Sequence, residues 1–363
     1  MNTRPKSLFI AFSLLVVIGL VMFQAGRFFD FATSPAQPGS EEQVVIEIHR
    51  GQTALDISKK FEAEHLVTSG QWFRWLGKIN RSWAKIKAGE YGVSAGMSPS
   101  KLLEVITSGI SLSHPFTIKE GDNIYDIASG LEDMGFGAHE KALELLHDTK
   151  FIATLGFESP APTSLEGYLF PETYFLNKTM NLEAIIRPMV KKFQAAWGAP
   201  EKTRAKDLGL TRSQLITLAS IVEKETGAPQ ERPMIASIFF NRLHKKMKLQ
   251  SDPTTIYGIW DKYIANKRNI HKADLSSENG YNTYYIPGLP IGPISNPGKE
   301  AIQAVLHPAE TEFLFFVSHN DGTHEFTKSY GEHLKAVRKF QLDPKAREGK
   351  SWRDLKTKTN STQ

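Results

Sequence analysis

Two glutamates two residues apart, Glu223 and Glu225 in "LASIVEKETG" (Leu218–Gly227), are the side chains of this chain best suited to acid–base chemistry. A carboxyl group exchanges protons near neutral pH only where its surroundings raise its pKa, and burial among apolar neighbours does that. Thr211 and Gln214 have capping-box spacing, which predicts a helix starting at Thr211. At about 100° per residue, Leu215, Ile216, Leu218, Ala219 and Val222 define its buried arc. Glu223 falls about 80° from Leu215, inside that arc, while Lys224 points to the wet side. Glu225 sits at the opposite margin, beside Leu218, about 160° around the axis from Glu223. A carboxylate aimed into an apolar arc costs free energy unless it is paired, hydrogen-bonded or protonated. Glu223 is therefore either a proton-transfer group or half of a buried ion pair with Arg232 or Arg242. For Glu225 a solvated surface role stays open.

Other clusters carry weaker chemistry. In "LQSDPTTIYG" (Leu249–Gly258), Asp252 at the N-cap and Pro253 at the first helical position read as a helix start. "YNTYYIPGLPIGPISNPG" (Tyr281–Gly298) is too rich in Pro and Gly for regular structure. It reads as a stiffened loop able to present Tyr281, Asn282, Thr283 and Tyr284 to a ligand. "FLFFVSHNDGTHEFTKSYGEHLKAV" (Phe313–Val337) predicts a buried strand, an Asn-Asp-Gly turn, a short strand and a helix. His319, Asp321, His324, Glu332 and His333 there match no metal-binding spacing, so no metal is expected. The sequence lacks a nucleophile elbow, a P-loop and a dinucleotide fingerprint, and no cofactor is expected.

These residues need elements to hold them. "VVIEIHRGQTALDISKKF" (Val44–Phe61) and "HPFTIKEGDNIYDIASGL" (His114–Leu131) align at an offset of 70, each reading strand, glycine turn, helix. Between them, "KIKAGEYGVSAGMSPSKLLEVITSG" predicts a strand around Tyr91 and a helix capped by Ser98 or Ser100. Trp72, Phe73, Trp75 and Trp83 either line a groove or, at helical spacing, face a core. A helical stretch follows from Ala138 to about Leu155, then "PTSLEGYLFPETYFL" (Pro162–Leu176) as an ordered loop. A second helix runs from Asn181 to Trp197 and stops at Gly198 and Pro200.

The start of the chain is apolar. "SLFIAFSLLVVIGLVMFQAG" (Ser7–Gly26) is uncharged and long enough for the roughly 30 Å hydrocarbon core of a bilayer. Arg4 and Lys6 precede it, and its length and lack of a small-x-small site favour a retained anchor over a cleaved signal, with the amino terminus in the cytoplasm. "FATSPAQPGSEEQ" closes a linker to the first repeat. The 363 residues carry a net charge of +5, of which Arg4, Lys6, Arg27 and Asp30 contribute +2. The remainder is too dispersed for nucleic acid. There is no cysteine, which excludes disulfides, thiolate metal sites, a thiol nucleophile and a lipoprotein anchor.

Taken in order, "IKAGEYGV", "SLEGYLFPETY", "LASIVEKETG", "LQSDPTTIYG", "YNTYYIPGLPIGPISNPG" and "DGTHEF…EH" resemble the MltG/YceG-like family of membrane-bound endolytic murein transglycosylases. The likeness runs from the anchor to about Val337. It implies an α+β chain: cytoplasmic tail 1–6, transmembrane helix 7–26, linker 27–43, LysM-like βα module 44–135, catalytic domain 136–344, and a disordered tail 345–363. It also implies cleavage of the β-1,4 bond between N-acetylmuramic acid and N-acetylglucosamine in nascent peptidoglycan glycan strands, leaving 1,6-anhydro ends, outside the cell membrane. In that family the first glutamate of "EKET" is catalytic, which maps onto Glu223, and Gln250, Ser251, Asp252, Tyr281, Asn282 and Thr283, with Glu166 and Tyr168, line the sugar cleft. The family often has Thr and Asn where this chain has Ser329 and Leu334, so those two are left out. Peptidoglycan synthases of the elongation or division machinery are family-level partners. Two other readings compete: a glycoside hydrolase with Asp252 as second carboxylate, and a non-catalytic wall-binding scaffold.

Overall fold

The computed structural model describes residues 4–259 and 270–343. Residues 1–3 of the expected cytoplasmic tail and the expected polar tail 345–363 lie outside the described residues. The chain is mixed α+β and forms two compact units, one up to Pro115 together with Phe175–Met180, the other Phe116–Tyr174 together with Asn181 onward.

The first unit begins with α1 (Arg4–Thr33), whose Ala11–Thr33 stretch is long and apolar enough to cross a bilayer, with mean hydropathy 1.9. The helix runs past Gly26, so the residues expected to open the linker are helical up to Thr33. Its last turns enter a core. Phe31 and Ala32 are buried, and the Phe28 and Phe31 rings lie 6.1 and 5.5 Å from Trp72. That core is completed by β1 (Val44–Ile48), α2 (Ala54–Ala63), α3 (Gly70–Ile79), β2 (Gly89–Val93) and α4 (Pro99–Ser108). β1 and β2 pair antiparallel with Ile46 opposite Tyr91, and strand alternation turns Ile46, Ile48, Tyr91 and Val93 inward. Ser98, not Ser100, caps α4. Phe73 stacks on Phe61 in the core, Trp83 meets Phe73 edge-on and Trp72 packs under α1, leaving Trp75 exposed. Phe73 is therefore a core residue, Trp72 and Trp83 pack against the core, and Trp75 faces solvent.

The second copy of the repeat forms β3 (His114–Thr117), whose last two residues open the second unit, and α5 (Ile124–Asp133) within it. Both copies use the same local chemistry. Gly51 and Gly121 turn at φ 86 and 82, where a Cβ would be strained, and capping boxes start both helices, Thr53 with Asp56 and Asn123 with Asp126. The stretch expected as one helix from Ala138 is two, α6 (His139–His147) and α7 (Thr149–Ala153), because Asp148 leaves the helical backbone and caps the second. After β4 (Thr173–Leu176), α8 (Leu182–Ala196) buries Ile185, Ile186, Met189, Val190 and Phe193. Gly198, expected as a stop, is also the N-cap of α9 (Ala199–Asp207).

α10 (Arg212–Glu225) starts at the expected Thr211–Gln214 capping box. It is packed more completely than its apolar arc implies. Every residue from Leu215 to Val222 is buried, including Thr217 and Ser220, because α11 (Arg232–His244), α12 (Asp252–Gly258) and α13 (Lys299–Leu306) all pack on it. Fully burying each Leu or Ile side chain contributes about 1.5–3 kcal/mol, which fixes α10 as the spine of this unit. The N-cap of α12 is Ser251, so Asp252 and Pro253 stand one position further into the helix than expected. The expected hairpin forms as β5 (Phe315–Ser318) and β6 (His324–Thr327), with Asn320 and Gly322 left-handed in the turn, followed by α14 (Tyr330–Val337).

Candidate active site

Glu223 sits in the last turn of α10 and is 9% exposed. Both its oxygens accept hydrogen bonds: Oε1 from Arg232 Nη2 at 2.8 Å, Oε2 from the Gly298 N–H at 3.0 Å. Local sequence explains how each donor arrives. α10 ends at Thr226, a short 3-10 turn (Pro229–Glu231) reverses the chain, and α11 begins with Arg232. The "PISNPG" segment is laced to α10 by Ser220, whose Oγ accepts from the Ile294 N–H, and by Ser295, whose Oγ donates to the Ser220 carbonyl. That lacing brings Gly298, the N-cap of α13, onto the carboxylate, where the α13 dipole also favours negative charge. Of the two arginines considered from sequence, Arg232 is the partner.

Arg232 serves three carboxylates. Its Nη2 also reaches Glu120 at 3.4 Å, and its Nη1 donates to Glu300. Burial, then the charge of Glu223, pushes the Glu120 carboxyl above its ordinary range. Glu120, Glu300 and Gly298 were not singled out by sequence. The one available signal was a divergence within the repeat, where Glu120 occupies the place of Arg50 in the first copy.

Glu225 is in a different environment. Ser251 Oγ donates to its Oε1 at 2.6 Å, and burial pushes its carboxyl up to about 7, with Asp252 adding to the rise and Arg242 opposing it. It is not a freely solvated acid. Two glutamates on one helical turn thus meet different partners, a guanidinium and a backbone N–H for Glu223 and a serine hydroxyl for Glu225.

The structure gathers the expected cleft residues into two groups. Around α12, Ser251 is buried and its N–H donates to Thr283 Oγ1 at 2.9 Å. Thr254 Oγ1 lies 2.8 Å from the same hydroxyl, and the Tyr284 hydroxyl donates to the exposed Asp252 at 2.6 Å. Asn282 and Thr283 have no exposed surface. Asn282 accepts from Thr255 Oγ1 at 3.0 Å and donates to the Ser277 carbonyl at 2.8 Å, so its side chain braces the loop. Gln250 is exposed, with an unusual left-handed backbone (φ 48). Tyr281 is half-buried, edge-on to Tyr257 at 4.8 Å, and burial pushes its phenol up to about 12.

Glu166 belongs to the second group. It is 1% exposed, and its Oε2 accepts from the Ile124 N–H at 3.0 Å and the Tyr257 hydroxyl at 2.8 Å. Burial pushes its carboxyl up to about 8. Asn296 links it onward, donating to Glu166 and to the Asp122 carbonyl and accepting from the Leu169 N–H. Next to it, Gly167 is left-handed (φ 84), and a Cβ there would lie 2.7 Å from Pro293 and 2.8 Å from Ile216. Tyr168 does not face this group. It is buried between Phe157 and Phe193, 5.4 and 5.0 Å away, with Arg212 over its ring. Among the histidines, His319 contacts Thr323 and Glu325, His324 pairs with Glu231 at 2.8 Å, and His333 stacks on Phe315.

Comparison with known proteins agrees in one direction. A protein from Bacillus subtilis strain 168 named endolytic murein transglycosylase is 32% identical over 319 residues, covering 84% of this chain and 87% of that one. A protein of the same name from Streptococcus pneumoniae D39 is 28% identical over 339 residues, covering 85% of this chain and 61% of that one. A crystal structure of a YceG-like protein from Listeria monocytogenes superposes with a TM-score of 0.55 at 30% identity, over 82% of this chain and 100% of that one. The YceG-like family model matches residues 46–339, and the chain therefore belongs to the YceG-like family.

Proposed function

We propose that this protein is an endolytic murein transglycosylase, a lyase of peptidoglycan glycan strands, with Glu223 as its acid and base. The reading is carried by Glu223 itself: a buried carboxylate at the end of a rigid helix, held by Arg232 and the Gly298 N–H, at the position that is catalytic in the family it resembles. The bond cut is the β-1,4 link from N-acetylmuramic acid to N-acetylglucosamine. Protonated Glu223 gives its proton to the leaving glycosidic oxygen as the C1–O bond breaks. The resulting carboxylate takes the proton of the muramic C6 hydroxyl as that oxygen closes on C1. Atoms balance without water, and the product is a 1,6-anhydro end. An internal hydroxyl nucleophile needs no second carboxylate, whereas a hydrolase typically places one about 5–9.5 Å away. The apolar helix at the start of the chain is read as a single-pass anchor, with the amino terminus in the cytoplasm and the chain that follows the anchor outside it.

Glu225 supports a second reading, because its carboxyl, pushed up to about 7, keeps a proton into the neutral range. One experiment decides. The detergent-solubilised full chain is incubated with uncrosslinked glycan strands, and the new ends are analysed by mass spectrometry beside Glu223→Gln and Glu225→Gln. Anhydro ends that vanish only in Glu223→Gln are expected. Loss in Glu225→Gln with retention in Glu223→Gln would move the acid to Glu225. Reducing ends would make water the nucleophile and Asp252 the next residue to change.

A further inference from the structure

α3 carries a second apolar stripe beside the face it buries. Phe73, Leu76 and Gly77 pack into the first unit. At about 100° per residue, Trp72, Trp75 and Ile79 fall within about 60° of one another on a neighbouring strip. The strip begins at the C-terminal end of α1. Trp72 packs there, its ring 6.1 and 5.5 Å from those of Phe28 and Phe31, with the Arg27 guanidinium 5.6 Å away. Beyond Trp72 the strip is uncovered, with Trp75 48% and Ile79 62% exposed. Its flank is basic. Lys78 Nζ lies 5.0 Å from the Trp75 ring, and Arg74 stands one turn before Lys78. Residues 66–89 hold five bases, Arg74, Lys78, Arg81, Lys85 and Lys87, and no acid, a charge equal to the net +5 of the whole chain. Trp83 Nε1 donates to the Arg74 carbonyl at 3.0 Å, which keeps the chain bearing the last three against α3. None of the five is ion-paired to a described residue.

We propose that this face of α3 docks on the bilayer that α1 enters, with Trp75 and Ile79 in the interface and the basic flank on anionic phospholipid headgroups. This rests on α1 being the anchor. Two observations select a membrane surface as the occupant. The first is continuity: the apolar stretch of α1, Ala11–Thr33, ends beside Trp72, and Ile79 lies seven residues further on, about 10 Å along the α3 axis. The second is charge complementarity. A short helix with tryptophan on one edge and unpaired bases beside it is suited to lie in the plane of an anionic interface, where indole rings favour the headgroup level. Each base near such a surface contributes about 1 kcal/mol, or about fivefold in binding. The consequence is orientational. An anchor alone leaves the first unit free to turn about α1, whereas a second contact through α3 fixes which side of that unit faces the lipid.

The chain has no cysteine, so a single introduced one takes a single fluorophore. Gln71→Cys places it on the exposed side of the first turn of α3, between Trp75 and Lys78 in angle, and replaces no residue of the stripe. The full chain with an NBD label there is reconstituted into vesicles of phosphatidylcholine alone, or of equal parts phosphatidylcholine and phosphatidylglycerol, carrying a nitroxide just below the headgroups. Strong quenching is expected with phosphatidylglycerol, falling to the phosphatidylcholine level in high salt. Arg74→Gln, Lys78→Gln and Arg81→Gln together remove three attractions of about fivefold each and should lower it the same way. Trp75→Ser with Ile79→Ser should lower it in both lipids. The lipid and salt comparisons use one and the same chain, so they decide even where a variant fails to fold. Equal quenching in both lipids and at both salts would reflect nearness to the anchor alone and overturns the proposal. A label that no lipid nitroxide reaches, whether it reports water or an enclosed protein contact, overturns it too. A second label at Val17→Cys, read with a nitroxide on the acyl chain, should be quenched in every vesicle. Its failure would instead refute the anchor, which separates the two failures.

Discussion

Glu166 should make this protein lose stability as pH rises, and Glu166→Gln should remove that loss. The carboxyl is ordinary at 4.5 in the unfolded chain and is pushed up to about 8 in the fold by burial. The folded state therefore binds the proton more tightly than the unfolded state, and the stability this gives is present below pH 4.5 and lost as pH climbs toward 8. Between pH 5 and pH 8 the two titration curves separate by about 2.5 units' worth of proton binding, which at 1.36 kcal/mol per unit is roughly 3 kcal/mol. Glutamine does not titrate, so the variant should lack this part of the slope. It loses something at every pH, because its amide nitrogen must face either the Ile124 N–H or the Asn296 amide, both donors. The expected result is thus a variant less stable than wild type at pH 5 that closes the gap, or overtakes it, by pH 8. For a unit of this size, 1 kcal/mol corresponds to about 2–4 °C in Tm. Calorimetry of both full chains at pH 5, 6, 7 and 8 reads the difference directly, and Glu225, which titrates in both proteins, cancels. Parallel Tm curves across the whole range would refute the argument.

Gly167→Ala should destabilise the second unit by roughly 2–4 kcal/mol, read by chemical denaturation. It places a Cβ on a left-handed backbone 2.7 Å from Pro293. Asn123→Ala should cost about 1 kcal/mol, because it removes a buried side chain that accepts from both the Tyr125 and Asp126 N–H groups. Thr53→Ala, its counterpart in the first unit, should cost about the same in that unit's own melting transition.

Much of this fold was legible because its signals are local. The capping box at Thr211 involves residues three apart, and the strand–glycine–helix repeat announces itself twice. The orientation of Glu223 followed from helical geometry and neighbouring residue types alone. Its partners did not. Arg232 could be named only as one of two candidates, and Glu120 and Gly298 are separated from Glu223 by long stretches of chain that no periodicity spans. The burial of Ser220 and Thr217 was hidden for a related reason. A polar residue is buried when something satisfies it, here the Ile294 N–H for Ser220, and that partner comes from a distant loop. Asn282 and Thr283 show the converse. Their polarity suggests a ligand, but backbone carbonyls and neighbouring hydroxyls already consume it.

The end of α1 decides how the protein can be cut. Phe28, Phe31 and Ala32 are at once the last turns of an apolar helix and members of the first unit's core, where Trp72 closes over them and Arg27 sits 5.6 Å from its ring. Trimming the chain at Glu41 to obtain a soluble fragment would pull these rings out and leave a hydrophobic wound on α3. A fragment that starts before Arg27 keeps the plug and should melt as the full chain does. One that starts after Thr33 should melt earlier and associate through the exposed face of Trp72.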